Sequence, residues 1–588
     1  MVGLALAILT LWGCAGAPDQ EATTQSPAVK QQPVQQAISL TLPASEYSNQ
    51  FSRAEQALTQ FDWMAASIAL ADIPAESLSL NDSTYLAYLQ ARIAYTQGHQ
   101  AQALSELQSL AYPGLNSALQ YRILNFRRHI VEMSGDNLES ARLADQILRF
   151  APPSDTTALK RSIWRDLQRL DSPQLQAAKS ATTDMQWWNW LDLALISREE
   201  SVQGTIALSA WRNSNPQHPA AQALPGGLDY RLQPKPPISK VALLLPLSGR
   251  LAQAGKAVRD GYLASYYNQR AAGRANFEVL IIDLDSYDSA NIAYDHALAQ
   301  GANLVVGPLS KQAVSELGIR PDRPIPVLAL NRIEQVLPAT GSPLVQMSLA
   351  PEDEAVRIAE LAFGQGARSA LVIKPAGQWG DKVEDVLKAR WAALGGTVAN
   401  SVYYKSREDY SNSIRSALDI SASEIRARDV RSMLATNIEF TARRRQDVDV
   451  VFLLSRNGAE ARSIKPLLAF HYAGNLPVYA MSTIYSGIPD PRDRDLNGIN
   501  LVETPWLLGS NPSVRVAIAA GDTGSDNYTR LNALGADAFL LQSRFSQLQA
   551  GPDALIRGDT GLLSMDPQLQ IHRELSLATF DEGALKAQ

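Results

Sequence analysis

The chain has 588 residues, of which 46% are hydrophobic and 19% charged, a balance that is typical of folded globular proteins and excludes disorder throughout. Its length predicts roughly two to four domains. A net charge of −6, one cysteine and six dispersed histidines exclude a bulk positive field for nucleic acid, an intrachain disulfide and a Cys-based zinc site, so we predict no nucleic-acid partner, metal or cofactor.

Residues 1–13 have the pattern of a lipoprotein signal peptide. Leu4 to Trp12 form an apolar run of about nine residues, too short to span a bilayer but long enough for a signal sequence. The run ends at Gly13-Cys14, which resembles a bacterial lipobox, where the thiol receives a diacylglyceryl group. We therefore predict lipidation of Cys14, the alternative being a small buried cysteine. Ala15 stands where an Asp would signal inner-membrane retention, so an outer-membrane anchor on the periplasmic side is expected.

Residues 14–45 are rich in Gln, Pro, Ala, Ser and Thr and have almost no large apolar side chains. Such a composition cannot bury a core. It predicts a flexible tether that holds the folded part away from the membrane.

Residues 46–222 show helical periodicity with short breaks, which predicts an all-α domain. Ala66, Ala103 and Ser140 recur at a 37-residue spacing, close to that of the tetratricopeptide repeat, and we predict a TPR-like helical solenoid. The cluster Trp187-Trp188-Asn189-Trp190 is either core between helices, which we favour, or a binding patch.

A Pro- and Gly-rich linker at 223–237 separates this region from residues 238–588, where strand and helix patterns alternate. Continuous apolar runs predict buried parallel strands with helical crossovers in two successive series, and hence a two-lobed α/β domain. The runs lie at 241–245, 277–282, 303–306, 325–330, 370–373, 398–404, 448–454 and 478–481.

The stretches KVALLLPLSGRLAQAGKAVRDGYLASYY from Lys240, GANLVVGPLS from Gly301 and PVLALN from Pro326 resemble a type I periplasmic-binding-protein fold. With the lipobox and the TPR-like region, the whole chain resembles the LppC family of outer-membrane lipoproteins. That resemblance implies a non-catalytic protein that binds a class A penicillin-binding protein and stimulates its transpeptidase activity in peptidoglycan synthesis. The alternative is a periplasmic small-molecule binding protein or sensor that uses the cleft between its lobes.

The Ser-x-x-Lys and Lys-Thr-Gly motifs of penicillin-binding enzymes are absent from the sequence, so catalysis by that chemistry is not expected. Gly249 and Gly255-Lys256-Ala257 have the wrong spacing for a phosphate loop, and Ala257 replaces its Ser or Thr. Asp283 and Asp285 follow a strand and are better interpreted as strand-end polar residues than as a glycosidase pair.

The fold resemblance also implies where a ligand would lie, namely between the lobes at the carboxyl ends of the strands. Positions that match cleft residues of the wider superfamily are Ser248, Gly249, Ser310 and Trp379. Ser248 and Ser310 each precede a predicted helix, so helix capping is the alternative role. The basic run Arg443-Arg444-Arg445 is a candidate partner-docking site or, as is commoner for such runs, a solvated helix face.

Overall fold

The computed structural model describes residues 41–588 except 111, 200–201, 234–236, 339, 435–438, 522–528 and 552. The predicted signal peptide, Cys14 and all but the last residues of the predicted tether lie outside the described part. At the start of the described chain, the side chain of Leu42 already packs against the first helices.

The first folded region is helical, as its periodicity predicts. Successive helices pack against their neighbours in the chain and enclose two apolar cores. Its helices are α1 Ser48–Thr59, α2 Trp63–Leu70, α3 Leu80–Thr96, α4 Gln100–Gln108, α5 Ser117–Ser134, α6 Asn137–Leu148, α7 Pro153–Arg169, α8 Ser172–Ala181, α9 Met185–Ile196 and α10 Val202–Ser214.

The 37-residue repeat has a packing basis. Ala66, Ala103 and Ser140 lie in α2, α4 and α6, and each is fully buried. Small side chains at these positions let the second helix of each pair approach its neighbours closely. Ser140 is polar but satisfied, since its Oγ donates to Asp166 Oδ2 at 2.7 Å.

The tryptophan cluster contributes to the core. Trp187 and Trp190 are buried in the second apolar cluster, and the Trp190 indole donates to Asp145 Oδ1 at 3.1 Å. Trp188 is half-buried, with the Lys179 ammonium 4.1 Å from its ring centre.

The second folded region contains two sheets with helices on both faces. Its strands are β1 Lys240–Leu245, β2 Glu278–Asp283, β3 Leu304–Val306, β4 Val327–Ala329, β5 Leu344–Met347, β6 Ser369–Pro375, β7 Thr397–Tyr404, β8 Val450–Leu453, β9 Val478–Ala480, β10 Ile499–Glu503, β11 Ile556–Arg557, β12 Leu562–Met565, β13 Gln570–Glu574, β14 Ser576–Asp581 and β15 Ala584–Ala587. Its helices are α11 Ala252–Ala271, α12 Ala290–Ala299, α13 Lys311–Gly318, α14 Pro351–Gly364, α15 Gln378–Leu394, α16 Tyr410–Ala417, α17 Ile420–Leu434, α18 Gly458–Phe470, α19 Pro512–Ala520, α20 Thr529–Leu541 and α21 Phe545–Leu548.

Each sheet forms the centre of one lobe. Lobe 1 has the strand order β11-β12-β13-β5-β4-β3-β1-β2, and lobe 2 has the order β15-β14-β10-β9-β8-β6-β7. Strands β1 to β10 pair in parallel within each sheet, as the buried apolar runs predict. Each sheet departs from this parallel pattern at one edge, where β11 to β15 add antiparallel pairs.

The chain crosses between the lobes at three places. The first crossing follows β5, the second follows β10, and the third is the single residue Leu575 between β13 and β14. The lobes are therefore joined by three segments, and the third is the shortest, because β13 belongs to lobe 1 and β14 to lobe 2. The fold is therefore an all-α region followed by a two-lobed periplasmic-binding-protein-like α/β domain.

The helical region contacts lobe 1 and the third crossing. Arg169 at the end of α7 forms an ion pair with Glu574, with Nε 2.8 Å from Oε1. Arg557 donates to the carbonyl oxygen of Arg169 at 2.9 Å, and the Gln547 amide donates to that of Gly226 at 2.8 Å. These contacts are polar, so the two regions meet through hydrogen bonds and ion pairs at these points.

Candidate functional site

The cleft between the lobes lies where the carboxyl ends of several parallel strands meet. The segments after β3, β4 and β5 form its lobe 1 wall and floor, and the start of α15 after β6 forms the opposite wall. This edge is where open α/β sheets bind ligands, because the strand ends and helix starts leave a crevice there. The cavity has a volume of about 800 Å³.

Apolar side chains line much of this cavity. Leu330 and Ile333 from lobe 1 face Trp379 and Val383 from lobe 2. Charged groups lie among them, and several connect the two lobes. The cavity could therefore bind a mainly apolar group, or it could serve only to set the distance between the lobes.

Lys382 of α15 forms two ion pairs, one of which connects the lobes. Its Nζ lies 2.6 Å from Glu334 Oε1 of lobe 1 and 2.7 Å from Glu352 Oε1 at the start of α14. Hydrogen bonds to both carboxylates raise the pKa of Lys382 above its ordinary value. Since Lys382 and Glu334 are 46% and 79% exposed, the pair across the lobes contributes about 1 kcal/mol or less.

A second connection centres on Asp353 of α14. Arg332 Nη2 lies 2.8 Å from Asp353 Oδ1, and His572 Nδ1 lies 3.3 Å from the same oxygen. Burial alone would raise the pKa of Asp353, but the bond to His572 and the charges of Arg573 and Arg332 lower it. His572 also bonds Asp566 at 2.9 Å, and its hydrogen bond to Asp353 raises its own pKa.

Of the residues implied by the fold resemblance, only Trp379 lines this cavity. Ser310 caps α13, with the N–H of Ala313 donating to its Oγ at 3.3 Å. Ser248 and Gly249 are exposed, and the Ser248 hydroxyl bonds Asp283, whose Oδ1 also accepts the Leu247 N–H at 2.8 Å. The structure thus gives both serines a local polar partner, and ligand contact at these four residues stays a prediction.

The three arginines of the run Arg443-Arg444-Arg445 differ in their contacts. Arg444 Nε donates to the Tyr472 carbonyl at 2.9 Å, and Arg445 forms a bidentate pair with Asp447 at 2.7 Å and also donates to the Ala399 carbonyl. Both side chains are half-buried and fasten their segment to lobe 2. Arg443 is exposed, and only its backbone N–H makes a hydrogen bond among the described contacts.

Arg443 belongs to a larger exposed surface that includes arginines of α17. Arg426 and Arg428 of α17 are exposed, and Arg426 and Arg443 line the same surface depression together with Asp419 and Glu439. Apolar side chains on α17 are exposed too, Ile425 by 48% and Met433 by 82%. We call Arg426, Arg428, Arg443, Ile425 and Met433 the α17 surface. Its mixture of cationic and apolar groups is typical of a protein-binding surface.

Groups of His, Cys, Asp and Glu placed to hold a metal ion do not occur between residues 41 and 588 outside the gaps given above. In the same part of the chain, every helix is too short or too polar to cross a membrane.

The three crossings, the two parallel-centred sheets and the cleft at their carboxyl edge define the class of the second region. It is a type I periplasmic-binding-protein-like domain, here preceded by a helical region. The sequence profile of the family described as "LppC putative lipoprotein" matches residues 26–583. The chain belongs to the LppC family.

Relatives of this chain have a common name. A protein of Aliivibrio fischeri named penicillin-binding protein activator LpoA is 27% identical and is matched over 99% of this chain and 97% of its own length. A protein of the same name from Photobacterium profundum is 26% identical, with 84% of this chain and 81% of that protein covered. A crystal structure of full-length LpoA from Haemophilus influenzae is 23% identical, covers 92% of this chain and 95% of its own, and gives a TM-score of 0.48.

Proposed function

We propose that this protein binds and activates a class A penicillin-binding protein, stimulates its transpeptidase activity and catalyses no reaction itself. The observation that carries the proposal is membership of the LppC family over residues 26–583, together with relatives named as penicillin-binding protein activators. The sequence supports the non-catalytic role, since the nucleophile motifs of transpeptidases do not occur in it.

The proposed mechanism is a shift in conformational population. Docking favours the synthase conformation that is competent for crosslinking, and the stimulation cannot exceed the activator's differential affinity for the two synthase states. The buried Arg332–Asp353 ion pair across the cleft supports this role, because it favours one arrangement of the two lobes. The small-molecule binding alternative has no comparable support from the relatives' names.

The proposed docking site is the α17 surface. Its exposed guanidinium groups suit an acidic partner surface, and its exposed apolar side chains supply area that a partner would remove from water. Of the three arginines in the predicted run, we assign the docking role to Arg443, because the side chains of Arg444 and Arg445 form hydrogen bonds within lobe 2.

We expect Arg426→Glu/Arg443→Glu to weaken binding to the cognate synthase by at least about tenfold, because two attractive charges become repulsive. Binding is measured by biolayer interferometry with the immobilised synthase. The matched control is Arg53→Glu/Arg250→Glu, which reverses two exposed arginines on α1 and on lobe 1. Equal affinity of the two double variants would show that the α17 surface is not the docking site.

Anchoring is the last part of the proposal. The chain is held at the outer membrane by lipid on Cys14, which the lipobox pattern and the lipoprotein family support. Cys14→Ala should transfer the protein from the membrane fraction to the soluble fraction and abolish incorporation of labelled palmitate. Unchanged labelling of the variant would refute the assignment of Cys14.

A further inference from the structure

A polar crevice lies between the helical region and lobe 1, and it shares no lining residue with the inter-lobe cavity. Its volume is about 280 Å³. The segment after α9 supplies Arg198, α11 supplies Gln269, and the strand end of β11 supplies Arg557. Both folded regions therefore contribute to one cavity.

Two guanidinium groups in this crevice have no acidic partner. Arg198 donates to Ser172 Oγ at 3.0 Å and to the carbonyls of Leu167 and Leu170 at 3.2 and 2.7 Å. Arg557 donates to the carbonyls of Gln168 and Arg169 at 3.4 and 2.9 Å. Within the described part of the chain neither forms an ion pair, whereas Arg161 and Arg169 nearby both do.

Burying a charged guanidinium group without an opposite charge beside it is unfavourable. Burial and the nearby charge of Arg557 lower the pKa of Arg198 to about 9, and burial lowers the pKa of Arg557 as well. A buried cation normally has a carboxylate or a bound anion as its counter-charge. The described hydrogen bonds of Arg198 and Arg557 go to neutral oxygen atoms, so a bound anion would supply this counter-charge.

Unsatisfied polar atoms mark the same place. Arg198 Nε and Gln269 Oε1 are buried, and neither has a hydrogen-bond partner among the described residues. An unpaired buried donor or acceptor costs about 1–3 kcal/mol, so such atoms mark positions where water or a ligand binds. Here one donor and one acceptor line the cavity that holds the two unpaired cations.

Carboxylates near the crevice act on these cations through their charge, without an ion pair among the described contacts. Asp171 raises the pKa of both arginines, and Asp559 raises that of Arg557. Asp559 accepts bonds from Ser510 Oγ at 2.6 Å and from Asn511 Nδ2 at 2.9 Å. Asp537 accepts the N–H groups of Asp559 and Thr560 at 2.6 and 2.8 Å. Burial raises the pKa of both carboxyl groups, and the charge of Asp559 raises that of Asp537 further, to about 7, so this pair carries less than two negative charges near neutral pH.

We propose that this crevice is a binding site for a small oxyanion, a carboxylate or a phosphate, which accepts hydrogen bonds from Arg198 and Arg557. Guanidinium groups suit both anions because their planar fork matches two oxygen atoms. Since one arginine belongs to the helical region and the other to lobe 1, the bound anion fixes the orientation of the two regions. This inference is independent of the penicillin-binding partner.

The test is isothermal titration calorimetry of the full chain with sodium phosphate and, separately, with sodium N-acetylalaninate. Sodium chloride keeps the ionic strength constant and serves as the reference titrant. Saturable binding of at least one of the two anions is expected, and the anion that binds identifies the source as phosphate or carboxylate. Arg198→Gln and Arg557→Gln should each weaken it by at least about tenfold. Arg161→Gln is the matched control, because it removes a guanidinium whose Nε lies 2.5 Å from Asp553 Oδ2, outside the crevice lining, and it should leave the affinity unchanged.

Absence of saturable binding by both anions would overturn the proposal, as would unchanged affinity in both arginine variants. The wild-type chain gives a second measurement that requires no variant to fold. In hydrogen exchange, the bound anion should slow exchange at 167–172 and 557–560 and leave β8 in lobe 2 unaffected. Slowing of exchange elsewhere but not at these two segments would contradict the site.

Discussion

At the scale of single residues, the inter-lobe connection depends on charged side chains that lie far apart in the chain. His572 of β13 bonds Asp353 of α14 at 3.3 Å and Asp566 at 2.9 Å, with Arg332 also against the ring. Two carboxylates favour the imidazolium, while burial and the charge of Arg332 oppose it. The outcome is a raised pKa, so His572 retains its positive charge to a higher pH in the folded protein than in the unfolded chain.

The sign of the resulting pH dependence follows directly. Because the folded pKa of His572 is raised, its stabilisation is fully present below the unfolded value of about 6.5 and is lost as pH rises through the folded pKa. We expect His572→Gln to lower the free energy of unfolding by about 0.5–1 kcal/mol at pH 5.5 and by less at pH 8.5. Urea unfolding followed by tryptophan fluorescence measures this.

His99→Gln is the control for that series, since His99 is exposed on the helical region. It should give the same small effect at both pH values. A destabilisation by His572→Gln that is larger at pH 8.5 than at pH 5.5 would show that the sign is wrong.

Residue-scale prediction from sequence was only partly possible. A single sequence shows that Arg443, Arg444 and Arg445 are basic, but it does not show that the Tyr472 carbonyl and Asp447 engage two of them. Likewise, no sequence pattern indicates the ion pair between Lys382 and Glu334, because it forms only when the two lobes come together. Trp379 could be placed at the cleft because it matches a cleft position of the wider binding-protein superfamily.

At the scale of elements, helices α11 and α20 form a close contact. α20 follows β10 of lobe 2 in the chain, yet it packs along α11 of lobe 1. Glycines make this approach possible, because a Cβ on Gly261 would lie 2.0 Å from the Asn532 carbonyl oxygen, and one on Gly535 would lie 2.0 Å from that of Val258. The contact fixes the second crossing against lobe 1.

Gly261→Ala should therefore destabilise the protein by about 2 kcal/mol. Overpacking against backbone atoms costs about 1–3 kcal/mol or more, which exceeds the gain of up to about 1 kcal/mol in helix propensity. Thermal unfolding monitored by circular dichroism tests this.

The matched control is Gly364→Ala at the end of α14, where the nearest atom to a new Cβ would be the Met133 carbonyl oxygen at 3.7 Å. That substitution should be neutral or slightly stabilising. Equal melting temperatures for the two variants would show that α11 and α20 separate easily.

Strands and helices were the part of the fold that the sequence predicted best. Apolar runs such as 241–245 and 448–454 coincide with β1 and β8, because strands covered on both faces need continuous apolar side chains. The hairpins of β11 to β15 were not predicted, since their strands alternate buried and exposed residues over only a few positions. Their placement in two different sheets depends on the third crossing, which no local pattern signals.

At the scale of the whole molecule, Glu574 couples the helical region to both lobes. It ends β13 immediately before the third crossing, and its carboxylate lies 2.8 Å from Arg169 Nε of α7 and 3.2 Å from Arg357 Nη2 of α14. Burial alone would raise the pKa of Glu574, but these two guanidinium charges lower it to about 2.

We expect Glu574→Gln to lower the free energy of unfolding by about 2 kcal/mol at pH 7, because two part-buried guanidinium groups lose their counter-charge. Since the folded pKa is depressed, the wild-type advantage should be present above about pH 4.5 and disappear as pH falls toward 2. Urea unfolding at several pH values measures both.

Asp553→Asn provides the comparison, since it removes the more exposed pair with Arg161 between the same two regions. It should cost less than about 1 kcal/mol. If Glu574→Gln cost no more than Asp553→Asn, the third crossing would not be the main electrostatic connection between the regions.

The central claim is that the whole protein acts on a synthase and performs no turnover itself. The most direct measurement reconstitutes the cognate class A penicillin-binding protein with lipid-linked precursor, with and without the full chain, and determines the crosslinked fraction of the peptidoglycan product. We predict a higher crosslinked fraction when the chain is present and no product when the synthase is left out. An unchanged crosslinked fraction, or product formed by the chain alone, would contradict this account.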